Sequence, residues 1–153
     1  RVLFRSVCDV KNEIKDNLID YFFAGKAGFS IVQDKTSKFD RKVVEYEINS
    51  NENRTVFFIY CKGKLSKKMS YQGYIVKKQG GCVIKPKKGF ELDPDYNAEA
   101  IKGLNWVFNH AVVMPRFVHI IHNGKCARCG RKLTDIESIQ AGLGPECRKK
   151  VLG

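Results

Sequence analysis

Apolar residues recur at helical spacing near the start of the chain and then change to strand spacing. Val10, Ile14, Leu18 and Tyr21 lie three or four residues apart, which predicts a helix over residues 9–24 that stops at Gly25. From Phe29 onward, short runs rich in β-branched and aromatic residues follow one another, at 29–32, 42–48, 55–60, 70–76 and 82–85. Polar or glycine turns separate some of them, such as Asn49-Ser50-Asn51-Glu52-Asn53 and Gly80-Gly81. Short strands joined in this way predict an antiparallel meander. Pro86-Lys87-Lys88-Gly89 breaks the pattern, and Asp93-Pro94 opens a second helix that runs to about His110. Its stripe of Ala98, Ile101, Leu104, Asn105, Val107 and Phe108 predicts packing across one face of the sheet. Trp106 and His110 read as core and helix-end residues rather than ligands.

Residues 116–122 alternate as a strand, so His119 and His122 point to opposite sides. Thr134, with Glu137 three residues on, has the spacing of a helix N-cap and its capping box. Gly142 ends that short helix, and Gly144-Pro145 starts another with Cys147 in its first turn. The fold class that follows is α+β: an antiparallel meander packed by one or two helices, then a small module resembling a treble clef or zinc ribbon. The division is a core over 1–114 and a metal-binding module over 115–153. No low-complexity linker separates them, which allows the two to pack as one unit.

The chemistry of the chain concentrates in that module. His122, Cys126, Cys129 and Cys147 form H-x3-C-x2-C-x17-C, a set of three thiols and an imidazole suited to tetrahedral zinc rather than calcium or magnesium. The C-x2-C pair offers two sulfurs from one turn, and Gly130 permits the bend after it. Cys147 comes from a separate element, so one zinc ion staples two pieces of chain. Four protein ligands leave no position for substrate, which reads as a structural metal. A redox C-x-x-C would open a helix after a buried strand, and Gly130-Arg131-Lys132-Leu133-Thr134 follows here instead.

At 153 residues, with 43% apolar and 11% aromatic residues, the composition is that of a globular chain. No stretch approaches the length of a membrane span, and no secretory segment is evident at the start. The first residue is Arg1, which predicts a trimmed chain or a piece of a longer one. Cys8, Cys61 and Cys82 make an odd remainder, which predicts reduced thiols in a cytoplasm, with Cys61 and Cys82 as buried strand residues. Lys plus Arg is 28 against 16 for Asp plus Glu, a net charge of +12. The excess is localised: Lys62, Lys64, Lys67, Lys68, Lys77, Lys78, Lys85, Lys87 and Lys88 fall in residues 61–90, which hold no acid. Arg128, Arg131 and Lys132 add charge around the metal ligands.

The run from His122 through Cys126-Ala127-Arg128-Cys129-Gly130-Arg131-Lys132-Leu133-Thr134 to Gly142-Leu143-Gly144-Pro145-Glu146-Cys147 resembles a known module. It is similar to the small zinc-binding domain of unknown function found in many bacteriophage and prophage proteins. The resemblance covers about the last 32 residues. It implies a phage or bacterial origin and zinc on the four residues named, and it carries no function with it.

Two functional readings follow. In the first, the lysine-rich region tracks the phosphates of DNA or RNA and the basic knuckle extends the footprint. Lysine, a point charge, suits phosphates better than base edges. Tyr71 and Tyr74 lie among the lysines and could stack bases. Three apart in a regular strand, they face opposite sides, so at most one would do so. In the second reading, a phage protein binds a host protein or ribonucleoprotein of defence, replication or transcription, with zinc purely structural. An enzyme fits less well. A zinc deaminase needs H-x-E, and neither His110, His119 nor His122 has a glutamate two residues on. Glu91, Asp93 and Asp95 are the only tight acidic group, and they read as a turn and helix start.

Overall fold

The computed structural model describes residues 11–34, 42–79 and 81–153. Its centre is a six-stranded sheet formed by β1 (Lys26–Gln33), β2 (Lys42–Ser50), β3 (Val56–Lys62), β4 (Met69–Lys78), β5 (Gly81–Pro86) and β6 (Val118–His122). The order across it is β5-β4-β3-β2-β1-β6, with every neighbouring pair antiparallel. The five expected strands of the meander are all present, with bounds shifted or extended by one to three residues. Alternation decides which face is buried. Phe29, Tyr46, Ile48, Phe57, Ile59, Cys61 and Ile75 are buried on one face, with Cys82 half-buried at the β5 edge.

Two helices lie over that face: α1 (Leu18–Phe22) and α2 (Ala98–Asn109). Ile101, Leu104, Val107 and Phe108 of the expected stripe are buried, together with Ala100, whereas Ala98 and Asn105 are exposed. The helix begins later than Asp93-Pro94 suggests. Asn97 caps it by accepting from the Ala100 N–H at 3.1 Å, because a side-chain amide oxygen at that position satisfies an otherwise orphaned donor. Trp106 packs partly buried against the core, and its ring stacks on that of His110, the C-cap, at 4.0 Å.

The expected helix over 9–24 is mostly not a helix. Asp9 and Val10 lie outside the described residues. Lys11 is helical, Asn17 takes a left-handed conformation (φ 57°), and the helix resumes only over Leu18–Phe22. Residues 12–14 run instead as an extended strip along the free edge of β6. The Ile14 N–H donates to the Ile120 carbonyl at 2.8 Å, and the His122 N–H donates to the Asn12 carbonyl at 3.1 Å. An edge strand carries unpaired backbone groups, and satisfying them outweighs the helical spacing of the side chains.

The boundary drawn at 114/115 falls just ahead of β6, which pairs with β1 from Phe29↔His122 to Gln33↔Val118. Cys126, Ala127, Leu133, Ile139, Leu143 and Cys147 belong to the same buried cluster as Tyr21, Phe22 and Phe29.

One irregularity sets the chemistry of the opposite face. Ile59 pairs with Gly73 and Tyr60 pairs with Tyr71, so Gln72 is an extra residue bulged out of β4. The expected opposition of Tyr71 and Tyr74 is therefore overturned. The bulge resets the alternation, and both rings lie on the face that carries Phe58 and Tyr60. Gln72 itself is completely buried. Its side-chain oxygen accepts from the Asn97 N–H at 2.9 Å, and its amide nitrogen donates to Ser70 Oγ at 3.1 Å.

His119 sits between two carboxylates, with Nδ1 2.8 Å from Glu13 and Nε2 2.9 Å from Asp34, and so ties the 12–14 strip to β1 and β6. Burial alone would lower its pKa, but the hydrogen bonds to Asp34 and Glu13 outweigh that and raise it above 6.5. A raised folded-state pKa stabilises fully below the unfolded value and loses its contribution as pH rises through the folded one. His119→Gln should therefore lower stability at about pH 6, by at most about 1 kcal/mol for a partly exposed cluster, seen as a lower melting temperature. Thermal melts at about pH 9 should show the gap to wild type closing.

Candidate metal centre and basic sheet face

The turn after β6 brings Cys126 and Cys129 together, and the start of a helix brings in Cys147. Backbone bonds hold the knuckle: Cys126 N–H to the Arg131 carbonyl at 2.8 Å, and Gly130 N–H to the Cys126 carbonyl at 2.9 Å. Gly130 takes φ 82°, a conformation that a side chain would strain. Two short helices follow, α3 (Ile136–Ala141) and α4 (Pro145–Leu152). The N-cap of α3 is Asp135, one residue beyond the expected Thr134; its carboxylate accepts from the Ser138 N–H at 3.1 Å. Gly142 ends α3 with φ 72°, and Pro145 occupies the first turn of α4, both as the spacing predicts.

The three sulfurs of Cys126, Cys129 and Cys147 lie within 4.8 Å of one another, close enough to share one metal ion. Such a donor set suits a soft or borderline cation, not calcium or magnesium. The backbone is arranged for a thiolate. Burial would raise the Cys126 pKa, but N–H groups of Gly144, Cys129 and Arg128 outweigh it and bring the thiol down to about 7. The Arg128 N–H lies 3.4 Å from Cys126 Sγ. Burial and the two neighbouring sulfurs push Cys147 up to about 11. A bound cation would reverse that sign, since a coordinating thiol is deprotonated.

His122, the fourth member of the expected ligand set, stands apart from the three sulfurs in this structure. Both ring nitrogens are taken by backbone: the Gly124 N–H donates to Nδ1 at 2.9 Å, and Nε2–H donates to the Ile139 carbonyl at 2.6 Å. Those partners fix the neutral tautomer, and burial holds the pKa below its usual value. His122 is thus a clip between the knuckle and α3, packed 6.5 Å from the Tyr21 ring. The H-x3-C spacing suits a ligand and a clip equally. Among the described residues no fourth His, Cys, Asp or Glu joins the group.

The lysines divide by strand geometry. Lys85 pairs with Tyr74, so both share the face opposite the helices, and Lys62 and Lys78 fall on that face by alternation from Tyr60 and Val76. Lys64, Lys67, Lys68 and Lys88 are exposed in turns at its ends. Lys77 departs from the expected phosphate-facing role: its ammonium sits 5.1 Å from the Phe23 ring centroid on the helix-covered side. Lys87 is ion-paired with Asp93. The acid-free run is also less isolated than it reads, because Asp95 accepts from the Leu65 and Ser66 N–H groups at 2.8 and 2.7 Å and holds the 63–68 turn. Arg128, Arg131 and Lys132 follow β6, at the opposite edge of the sheet from β5. Glu45 and Glu47 of β2 lie between the two basic sets, so the knuckle does not extend one continuous footprint.

A family of unknown function (DUF6011) matches residues 121–152, the knuckle and its two helices. No curated protein and no solved structure matches the chain. Among the described residues no helix is long and apolar enough to cross a membrane.

Cys126→Ser and His122→Ala should separate ligand from clip. Elemental analysis should find about one metal per wild-type chain and a large loss in Cys126→Ser. His122→Ala should retain the metal while losing about 1–3 kcal/mol of stability in urea melts, because buried backbone partners are left unsatisfied. Loss of metal on replacing His122, in a variant that still folds, would restore it to the ligand set.

Proposed function

We propose that this chain is a zinc-containing nucleic-acid-binding accessory protein of phage or bacterial origin that works in the cytoplasm and holds phosphates along the β3–β5 half of its sheet. One observation carries the reading: Lys62, Lys78 and Lys85 share a sheet face on which no described helix packs, flanked by the exposed Lys64, Lys67, Lys68 and Lys88. Seven cations along the β3–β5 half of the sheet make a surface complementary to a polyanion. Their lysine character favours contacts to phosphate over readout of base edges.

Zinc suits the three sulfurs, and it would be held by Cys126, Cys129 and Cys147; the ion is a closed, structural one if the His122 ring leaves its backbone partners to fill the fourth position. When bound, it joins the knuckle to the start of α4. A knuckle whose third thiolate comes from a helix N-terminus supports the treble-clef reading of the module. His122 adds a metal-independent tie from the same knuckle to α3.

Affinity for DNA or RNA oligonucleotides should fall steeply with salt. Lys62→Gln, Lys78→Gln and Lys85→Gln together should reduce the slope of log K against log salt by about 0.7–0.9 for each phosphate no longer neutralised. Lys77→Gln should change it little. Binding by fluorescence anisotropy between about 50 and 200 mM salt measures both. A wild-type protein with no salt-dependent binding, purified with one protein partner after nuclease treatment, would favour the host-protein reading.

A further inference from the structure

The sheet face opposite the helices is aromatic as well as basic. Phe58 and Tyr60 on β3 stand beside Tyr74 and Tyr71 on β4 by direct cross-strand pairing. The Tyr71 ring centroid lies 6.1 Å from that of Phe58 and 5.8 Å from that of Tyr60. All four are half-buried, and none belongs to the core cluster or packs against it. Four rings on a face that no described helix covers are costly unless something else lies on them.

Two further observations point to the occupant. Lys62, which also reaches the exposed Glu45 at 3.7 Å, continues the β3 row beyond Tyr60, and Lys85 is the direct partner of Tyr74, so cations stand at both ends of the ring cluster. Glu47, the direct partner of Tyr60, and Glu45 border it on the β2 side. An apolar peptide would use the rings and leave the cations idle, and an anion without π-faces would do the reverse. A strand of unpaired bases uses both.

Resting on the nucleic-acid reading above, we infer that this face binds single-stranded nucleic acid, with bases stacked on Phe58, Tyr60, Tyr71 and Tyr74 and phosphates met by Lys62, Lys78 and Lys85. Rings flush with a sheet cannot reach bases already stacked inside a duplex, so the platform selects single strands. Stacking is tolerant of sequence because every base presents a π-face. The acidic β2 side repels phosphate and confines the strand to β3–β5.

The test uses the full chain, labelled oligo-dT and oligo-U, and a duplex of the same length. Wild type should bind the single strands at least about tenfold more tightly than the duplex. Tyr71→Leu and Tyr74→Leu keep an apolar side chain on the sheet and remove the ring, with circular dichroism confirming the fold. Each should weaken single-strand binding by about 5- to 150-fold with the salt slope unchanged, whereas Lys62→Gln and Lys85→Gln should lower the slope. Equal affinity for duplex and single strand, with folded ring variants unaffected, would overturn the platform and leave the phosphate reading standing. Loss of binding in neither set, or no binding at all, would overturn both. Concentration-dependent dimers that the ring variants abolish would assign the face to a second copy instead.

Discussion

Gln72 is the residue on which most of the functional geometry depends. As the extra residue of a bulge, it shifts the alternation of β4 by one, so that Tyr71 and Tyr74 share a face. Its buried amide accepts from the Asn97 N–H, the residue that caps α2, and its carbonyl accepts from the Lys87 N–H at 3.0 Å. The irregularity that opens the aromatic face therefore also positions the helix on the other side. Gly73 beside it is constrained in turn, since any side chain there would run into the Lys85 carbonyl of β5. A buried amide with its partners satisfied stabilises this geometry, and one without them would cost about 1–3 kcal/mol.

The opposite edge of the sheet is organised by sulfur and by one imidazole. β6 ends at His122, and the chain turns at once into the knuckle, so the cysteine cluster is built directly on the sheet. Gly142 lets α1 and the module approach closely: a side chain there would come within 2.7 Å of the Tyr21 ring. The module thus stands on the strand pairing of β6 and the clip through His122, with three cysteines beside them close enough to share one metal ion.

The strands were legible in the sequence because each is a short apolar run between turn residues, and α2 because Ile101, Leu104, Val107 and Phe108 recur at helical spacing. The cysteine cluster was legible from spacing, as were the stop at Gly142 and the restart at Pro145. The departures share a cause: tertiary partners that spacing does not encode. Residues 12–14 have a helix-like pattern and are recruited by a strand edge. His122 has ligand spacing, and two backbone groups claim its nitrogens. The bulge is invisible in a pattern of Tyr-Gln-Gly-Tyr, where only Gly73 hints at a close backbone approach. Lys77 counts as a cation in composition and serves as a cover for Phe23 and Phe57 in space.

The central claim is that the face aligned by the Gln72 bulge is where nucleic acid lies, with its bases against the rings. Photo-crosslinking tests this most directly, because short-range adducts form where a base contacts an aromatic side chain. Oligo-dU carrying bromouracil, irradiated with the full chain and followed by peptide mass spectrometry, should place adducts on residues 56–62 and 69–78. Adducts confined to the knuckle over 125–132, with none on those two strands, would contradict the account.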